Sequence, residues 1–396
     1  MANYFLWQAE PNWTDSVTET LEWKTDVLQS YSGAEQRIAR RLSPRRTFEF
    51  SILIDGNARS RFENRLAYAG ANTWYLPIYS DITFLDKDIT AGTTVLQCET
   101  VGRDFVIGNK ILIKTEINNI NKSALLEVAA INDDSITLVN PVAVDFSAGT
   151  LIYPVRLAVL TDMPELTRHN DDLLSSQIRF RVTEHNAYSN DVSFLDTYRD
   201  FPVLSVQPDW SESLKGKYER FLLELDNNLG IPHRIDTANL PFFVQEFRWF
   251  LTERKEQMQL RQLFYYLNGR QKNIWVSSQS SDFNVINVNN RVLDVENVGF
   301  SEIGLMPVRK DLAITLADGS TLYRRIVYAA VLSDDVERLL LDEAIDANTA
   351  DIVLISFLTL CRLDSDSITW QHVTDADGLA NITCSFRGVR DELESI

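Results

Sequence analysis

The sequence predicts an α+β fold, β-dominated, in which a sheet-plus-helix domain occurs twice in tandem and each copy carries a small all-β, barrel-like insertion. Three observations predict it. First, "EPNWTDSV" (Glu10–Val17) returns as "QPDWSESL" (Gln207–Leu214), placing Trp13 and Trp210 197 residues apart (210 − 13) in a chain of 396. Second, "FEFSILI" from Phe48 and "QEFRWFL" from Gln245 are both apolar at every second residue, and Phe50 and Phe247 keep the same spacing. Period two marks a half-buried strand. Third, a helical pattern follows each strand: Leu260, Leu263, Phe264 and Leu267 share one helix face, and Phe62, Leu66 and Ala69 give a weaker version.

The remaining elements repeat in the same order. Each helix is expected to stop before a glycine, Gly70 or Gly269, where a left-handed C-terminal cap costs least. Aromatic strands follow at "NTWYLPIY" (from Asn72) and "NIWVSSQS" (from Asn273). Near the ends, "LAVLTDMPEL" answers "ISFLTLCRL", and "SQIRFRV" answers "NITCSFRGV". Such order over a long period reads as an internal duplication of whole domains, since solenoid units are only about 20–50 residues long. We divide the chain into unit one, 1–195, and unit two, 196–396, joined by a polar linker near Glu184–Phe201.

Within unit one, residues from about 87 to 154 read as short strands separated by "VGRD", "NDD" and "SAG", the pattern of a small barrel or sandwich. Unit two has a β-rich counterpart at about 287–352, with a hairpin turning at Asp318-Gly319. The stretch "SDDVERLLLDEAIDA" in it fits either a short helix or an irregular edge.

Composition narrows the function. With 45% hydrophobic and 24% charged residues the chain is of ordinary globular make-up. A net charge of −18 disfavours nucleic acid as a tightly bound partner, because phosphates demand Lys and Arg, but allows it as something to be repelled. The N-terminus lacks the basic and apolar regions of a signal peptide, and no apolar run approaches the roughly 18 residues that suggest membrane insertion. Cys98, Cys361 and Cys384 are odd in number and scattered, which argues against a disulfide framework or zinc site and for thiols in a reducing cytoplasm.

No catalytic constellation emerges. None of His169, His185, His233 and His372 stands in a metal-ligand spacing, and no nucleophile elbow or phosphate-binding glycine loop is present. "DSDS" (Asp364–Ser367) and "DADG" (Asp375–Gly378) resemble calcium-loop fragments without the later ligands, so solvated turns are the better reading. We expect no enzyme activity, cofactor or metal.

The distinctive charge feature is "EQRIARRLSPRR", in which Arg37, Arg40, Arg41, Arg45 and Arg46 crowd into ten residues of an acidic chain. Phosphate contact and a solvated loop are two readings. A contact with the acidic face of a neighbouring subunit is the one we favour, because guanidinium forks pair with carboxylates. Trp7, Trp13, Trp23, Trp74, Trp210, Trp249 and Trp275 invite carbohydrate stacking, but matched strand positions favour core and inter-subunit packing.

The segment Leu21–Asp55 resembles the N-terminal signature of tail-tip proteins of tailed bacteriophages and related prophages. Trp23, Thr25 and Val27 form its strand, Gly33, Glu35, Gln36 and Arg37 its turn, and Pro44, Arg45 and Arg46 its basic step. The resemblance implies a structural part of the distal tail or baseplate hub, located in the virion, with no catalytic residues to carry over. Its implied partners are copies of itself in a ring, the tail tube protein, and other baseplate, spike or fibre proteins. Two like domains per chain would let a trimer imitate a sixfold ring, joining a sixfold tube to a threefold spike or fibre. The alternatives are a hexameric distal tail protein and a receptor- or carbohydrate-binding tail protein, though the first insertion contains no Trp.

Overall fold

Alternating apolar residues build the long strands that carry each half of the molecule. In the computed structural model, which describes residues 4–117, 120–306 and 308–390, the first half runs β1 (Val17–Glu22), β2 (Thr25–Gln29), β3 (Glu35–Ala39), β4 (Arg45–Ile54), α1 (Gly56–Ala69), β5 (Trp74–Pro77), β6 (Leu151–Leu160), β7 (Thr167–Arg168) and β8 (Leu174–Val182). The second half runs β9 (Gly216–Glu219), β10 (Leu222–Leu225), β11 (His233–Asp236), β12 (Phe242–Leu251), α2 (Arg254–Leu267), β13 (Ile274–Ser277), β14 (Ile352–Leu363), β15 (Ser367–His372) and β16 (Ala380–Gly388). The fold is α+β and β-dominated, and the labelled strands pair antiparallel with one another.

The two halves repeat one pairing order. The first is β1–β4–β8–β6–β5 and the second β9–β12–β16–β14–β13, with β7 beside β8 and β15 beside β16. Registers repeat too. Glu22 faces Arg45 as Glu219 faces Phe242, and Ile54 faces Leu174 as Leu251 faces Ala380. Ala158 faces Trp74 as Cys361 faces Ile274. A one-residue slip would turn each strand's buried face outward, so shared register means shared side-chain facing.

The insertions between β5 and β6, and between β13 and β14, also pair alike. Lys110–Ile117 joins Ile120–Asn132 and β6; Asp311–Leu316 joins Thr321–Ser333 and β14. Each closes on its own core, one around Leu96, Ile113, Ile136 and Phe146, the other around Leu293, Ile314, Leu339 and Phe357. Val336–Leu341 is a strand, because Val295 and Ile326 pair it on both sides, and this resolves the ambiguous charged stretch.

One expectation about the helix ends is corrected. Asn268 takes the left-handed cap of α2 at φ 53°, followed by Gly269 at φ 67°. Gly70, however, is right-handed at φ −54°. Its need for glycine is steric: a Cβ there would lie 2.7 Å from the Leu66 carbonyl oxygen and 2.8 Å from Met163 Cε.

Candidate assembly interface

The joint between the halves is made by a strand pair. β1 of the first half pairs antiparallel with β15 of the second, from Val17 opposite His372 to Glu22 opposite Ser367. Leu21 and Trp23 thereby enter the core of the second half beside Phe264, Ile368 and Trp370. Truncating a buried indole such as Trp23 typically costs about 3–5 kcal/mol, so the joint is part of the second half's stability.

Glu19 sits at the centre of this joint and is fully buried. Alternation on β1 puts it on the inward face with Val17 and Leu21. Its carboxylate accepts from Arg46 Nε at 2.6 Å and from both Arg261 amino groups at 2.7 and 2.8 Å, and it meets His372 Nε2 at 2.9 Å. Arg46 also reaches Asp104, which Arg156 holds through Nε at 2.9 Å. Arg156 continues to Glu184 in the linker, and Arg254 of α2 bonds Asp81 at 2.7 Å. Four guanidiniums, two from each half, thus face four carboxylates of the first half.

Burial opposes ionisation of Glu19, but the Arg261 and Arg46 guanidiniums, with the His372 contact, hold its carboxyl well below the usual range. Asp104 is likewise desolvated and likewise held far down by Arg156 and Arg46. Burial pushes the neighbouring phenols of Tyr188 and Tyr265 up to about 12.

A second contact is the hairpin β2–β3, an arm of the first half lying on the second. Glu35 receives a two-pronged pair from Arg362 at 2.8 and 2.9 Å, and Arg37 donates to Asn273 at 2.7 Å. The Thr25 N–H donates to Asp366 at 2.7 Å, and Arg270 donates to the Thr25 carbonyl at 2.9 Å. At the tip Gly33, with φ +82°, closes onto the Phe242 ring, where a Cβ would overlap it.

The arginine cluster is therefore placed differently from the expectation that its carboxylates come from a neighbouring subunit. Arg46 is buried against Glu19 and Asp104. Arg37 is used on Asn273 and Glu35, Arg40 pairs with Asp26 at 2.6 Å, and Arg41 with Glu22 at 3.0 Å. Antiparallel pairing supplies these partners from within the chain: β1 and β2 lie beside the segment that carries the arginines. Arg45 lies on the exposed side of β4.

The tryptophans divide in the same way. Trp7, Trp23, Trp74, Trp249 and Trp275 are buried core residues. Trp13 is half-buried on a cleft of about 760 Å³ with Arg61, Arg65 and Lys114; Trp210 is exposed on one of about 360 Å³ with Tyr218, Phe243 and Arg309. The two acidic turns are structural. Asp366 accepts from the Thr25 and Arg270 N–H groups, and the carbonyls of Asp375 and Ala376 accept from Arg254. Among the described residues no group of three His, Cys, Asp or Glu is placed to hold a metal, and no helix is long and apolar enough to cross a membrane.

Neither a protein-family model nor a curated protein matches the chain.

Proposed function

We propose that the chain is a structural ring component of a phage tail tip or baseplate, joining the sixfold tail tube to the threefold spike or fibre region as a pseudo-sixfold trimer. In this reading the two halves are a tandem duplication. One observation carries the ring: the first half's edge strand β1 is joined to β15 of the second half, while the corresponding edges, β9 and β7, each have a single described strand partner. A contact between unlike edges is heterologous, and repetition of heterologous contacts closes a ring when the rotation permits.

Three chains then supply six like domains, alternating internal and intermolecular joints. The tube protein and other baseplate, spike or fibre proteins are the partners, and the net charge of −18 keeps passing DNA from binding. The role is structural, and its place is the virion after assembly in the host cytoplasm.

Native mass of the purified protein tests the reading. Three copies are expected. Six would favour a hexameric distal tail ring, and a chain that stays single at every concentration would refute ring assembly.

A further inference from the structure

We propose that the second arm, β10–β11, docks on the first half of a second copy of this chain, as the first arm docks on the second half within one chain. This deepens the ring reading and rests on it for the identity of the occupant.

The two arms leave their edge strands at aligned positions and pair in one register: Thr25 faces Ala39 as Leu222 faces Asp236. Only the first is seated. The described ion pairs of the second arm are internal, Arg220 with Asp236 and Arg234 with Glu224, both at 2.6 Å. Leu222, Leu229 and Ile231 are 54%, 89% and 96% exposed. A lone hairpin is marginal in water, and three large aliphatic side chains on it mark a contact surface.

Aligned positions show what the intermolecular seat would hold. Glu35 and Arg362, the ion pair beneath the first arm, become Pro232 and Val159; both partners turn apolar together. Thr25 and Asp366 become Leu222 and Asp162, which keeps a carboxylate for the arm's N–H, and Asp162 is exposed. In the strand joint Thr20 faces Thr369; their counterparts Lys217 and Glu165 are opposite charges, both exposed. Phe242, under the first arm's tip glycine, becomes the exposed Arg45. One-sided divergence would leave mismatches at these pairs. Concerted change on both sides is what a second interface requires.

The first test is cross-linking between chains. Pro232→Cys and Val159→Cys proteins are prepared separately, mixed, and treated with a short bis-maleimide. The doubly substituted Glu35→Cys/Arg362→Cys protein is the control for reach within one chain, and wild type sets the background, since Cys98, Cys361 and Cys384 are buried. Covalent dimer in the mixture, absent from either variant alone, is the expected result.

If wild type forms a ring while the mixed Pro232→Cys and Val159→Cys proteins give no cross-link, the docking is overturned and the ring stands; a monomeric wild type together with no cross-link in the mixture overturns both. The second test replaces Leu229 and Ile231 by Asp. Assembly should weaken roughly tenfold or more while the thermal midpoint of the isolated chain stays unchanged. Unaltered assembly of that variant also overturns the docking.

Discussion

Glu19 and Arg261 form a two-pronged ion pair, 2.7 and 2.8 Å long, that is sealed from solvent between β1 of the first half and α2 of the second. The pair joins residues 242 positions apart in the sequence. It ties the two halves together by directional bonds beside the shared packing of Leu21 and Trp23.

Removing one member of such a group should cost far more than the pair contributes net, because its partners keep their buried charge. Glu19→Leu leaves Arg46 and Arg261 facing each other without their shared carboxylate. We expect a loss of about 3–5 kcal/mol, read as a lower urea midpoint at unchanged slope. A loss below about 1 kcal/mol would mean that solvent reaches the joint.

The same carboxylates set an acid limit. Glu19 and Asp104 have folded-state pKa values depressed below their ordinary values of 4.5 and 3.8. A depressed carboxyl contributes stability that is fully present above its unfolded pKa and is lost as pH falls through the folded one. Stability should therefore be flat in these groups above about pH 5 and decline progressively below about pH 4.5. Thermal midpoints of wild type and Glu19→Gln across this range check it: the variant should start lower and fall less steeply. Parallel curves would show that Glu19 is not part of the acid response.

The arginine cluster should split into two classes. Arg46→Ala removes a buried guanidinium bound to Glu19 and Asp104, and should cost about 3–5 kcal/mol. Arg40→Ala removes a largely exposed pair with Asp26 and should cost no more than about 1 kcal/mol. Denaturation of the two single variants side by side decides this. Equal losses would contradict the burial that separates them.

Much of the framework was legible in the sequence because period-two alternation acts locally and because the pattern returns at a constant spacing, from Trp13 and Phe50 to Trp210 and Phe247. The joint was not legible. Its chemistry depends on pairing of residues far apart, such as Glu19 with Arg261 and Arg46 with Asp104. A usable signal was nonetheless present: Glu19 stands between Val17 and Leu21 on the apolar side of β1, and Arg254, Gln257 and Arg261 run beside the apolar stripe of α2. A charge at a core position is informative because burial demands a partner. The arginine cluster misled for the converse reason: its partner carboxylates Asp26, Glu22 and Glu19 stand 14, 19 and 27 residues away, and only strand pairing brings them in.

Gly33 and Gly230 occupy aligned places at the two arm tips and should respond differently to alanine. At Gly33 the backbone is left-handed, φ +82°, and an added Cβ would overlap the Phe242 ring, so both strain and a clash follow. Gly33→Ala should destabilise the isolated chain by about 1–3 kcal/mol and release the first arm from the second half. Proteolysis within Thr25–Ala39 would report that release. At Gly230 nothing lies within 4 Å of the added atom, so Gly230→Ala should change the isolated chain by less than about 0.5 kcal/mol. Urea titrations below the assembly concentration compare the two. If Gly230→Ala destabilised the single chain as much as Gly33→Ala, the second arm would already be seated within its own chain, and the asymmetry between a docked and an open arm would be lost.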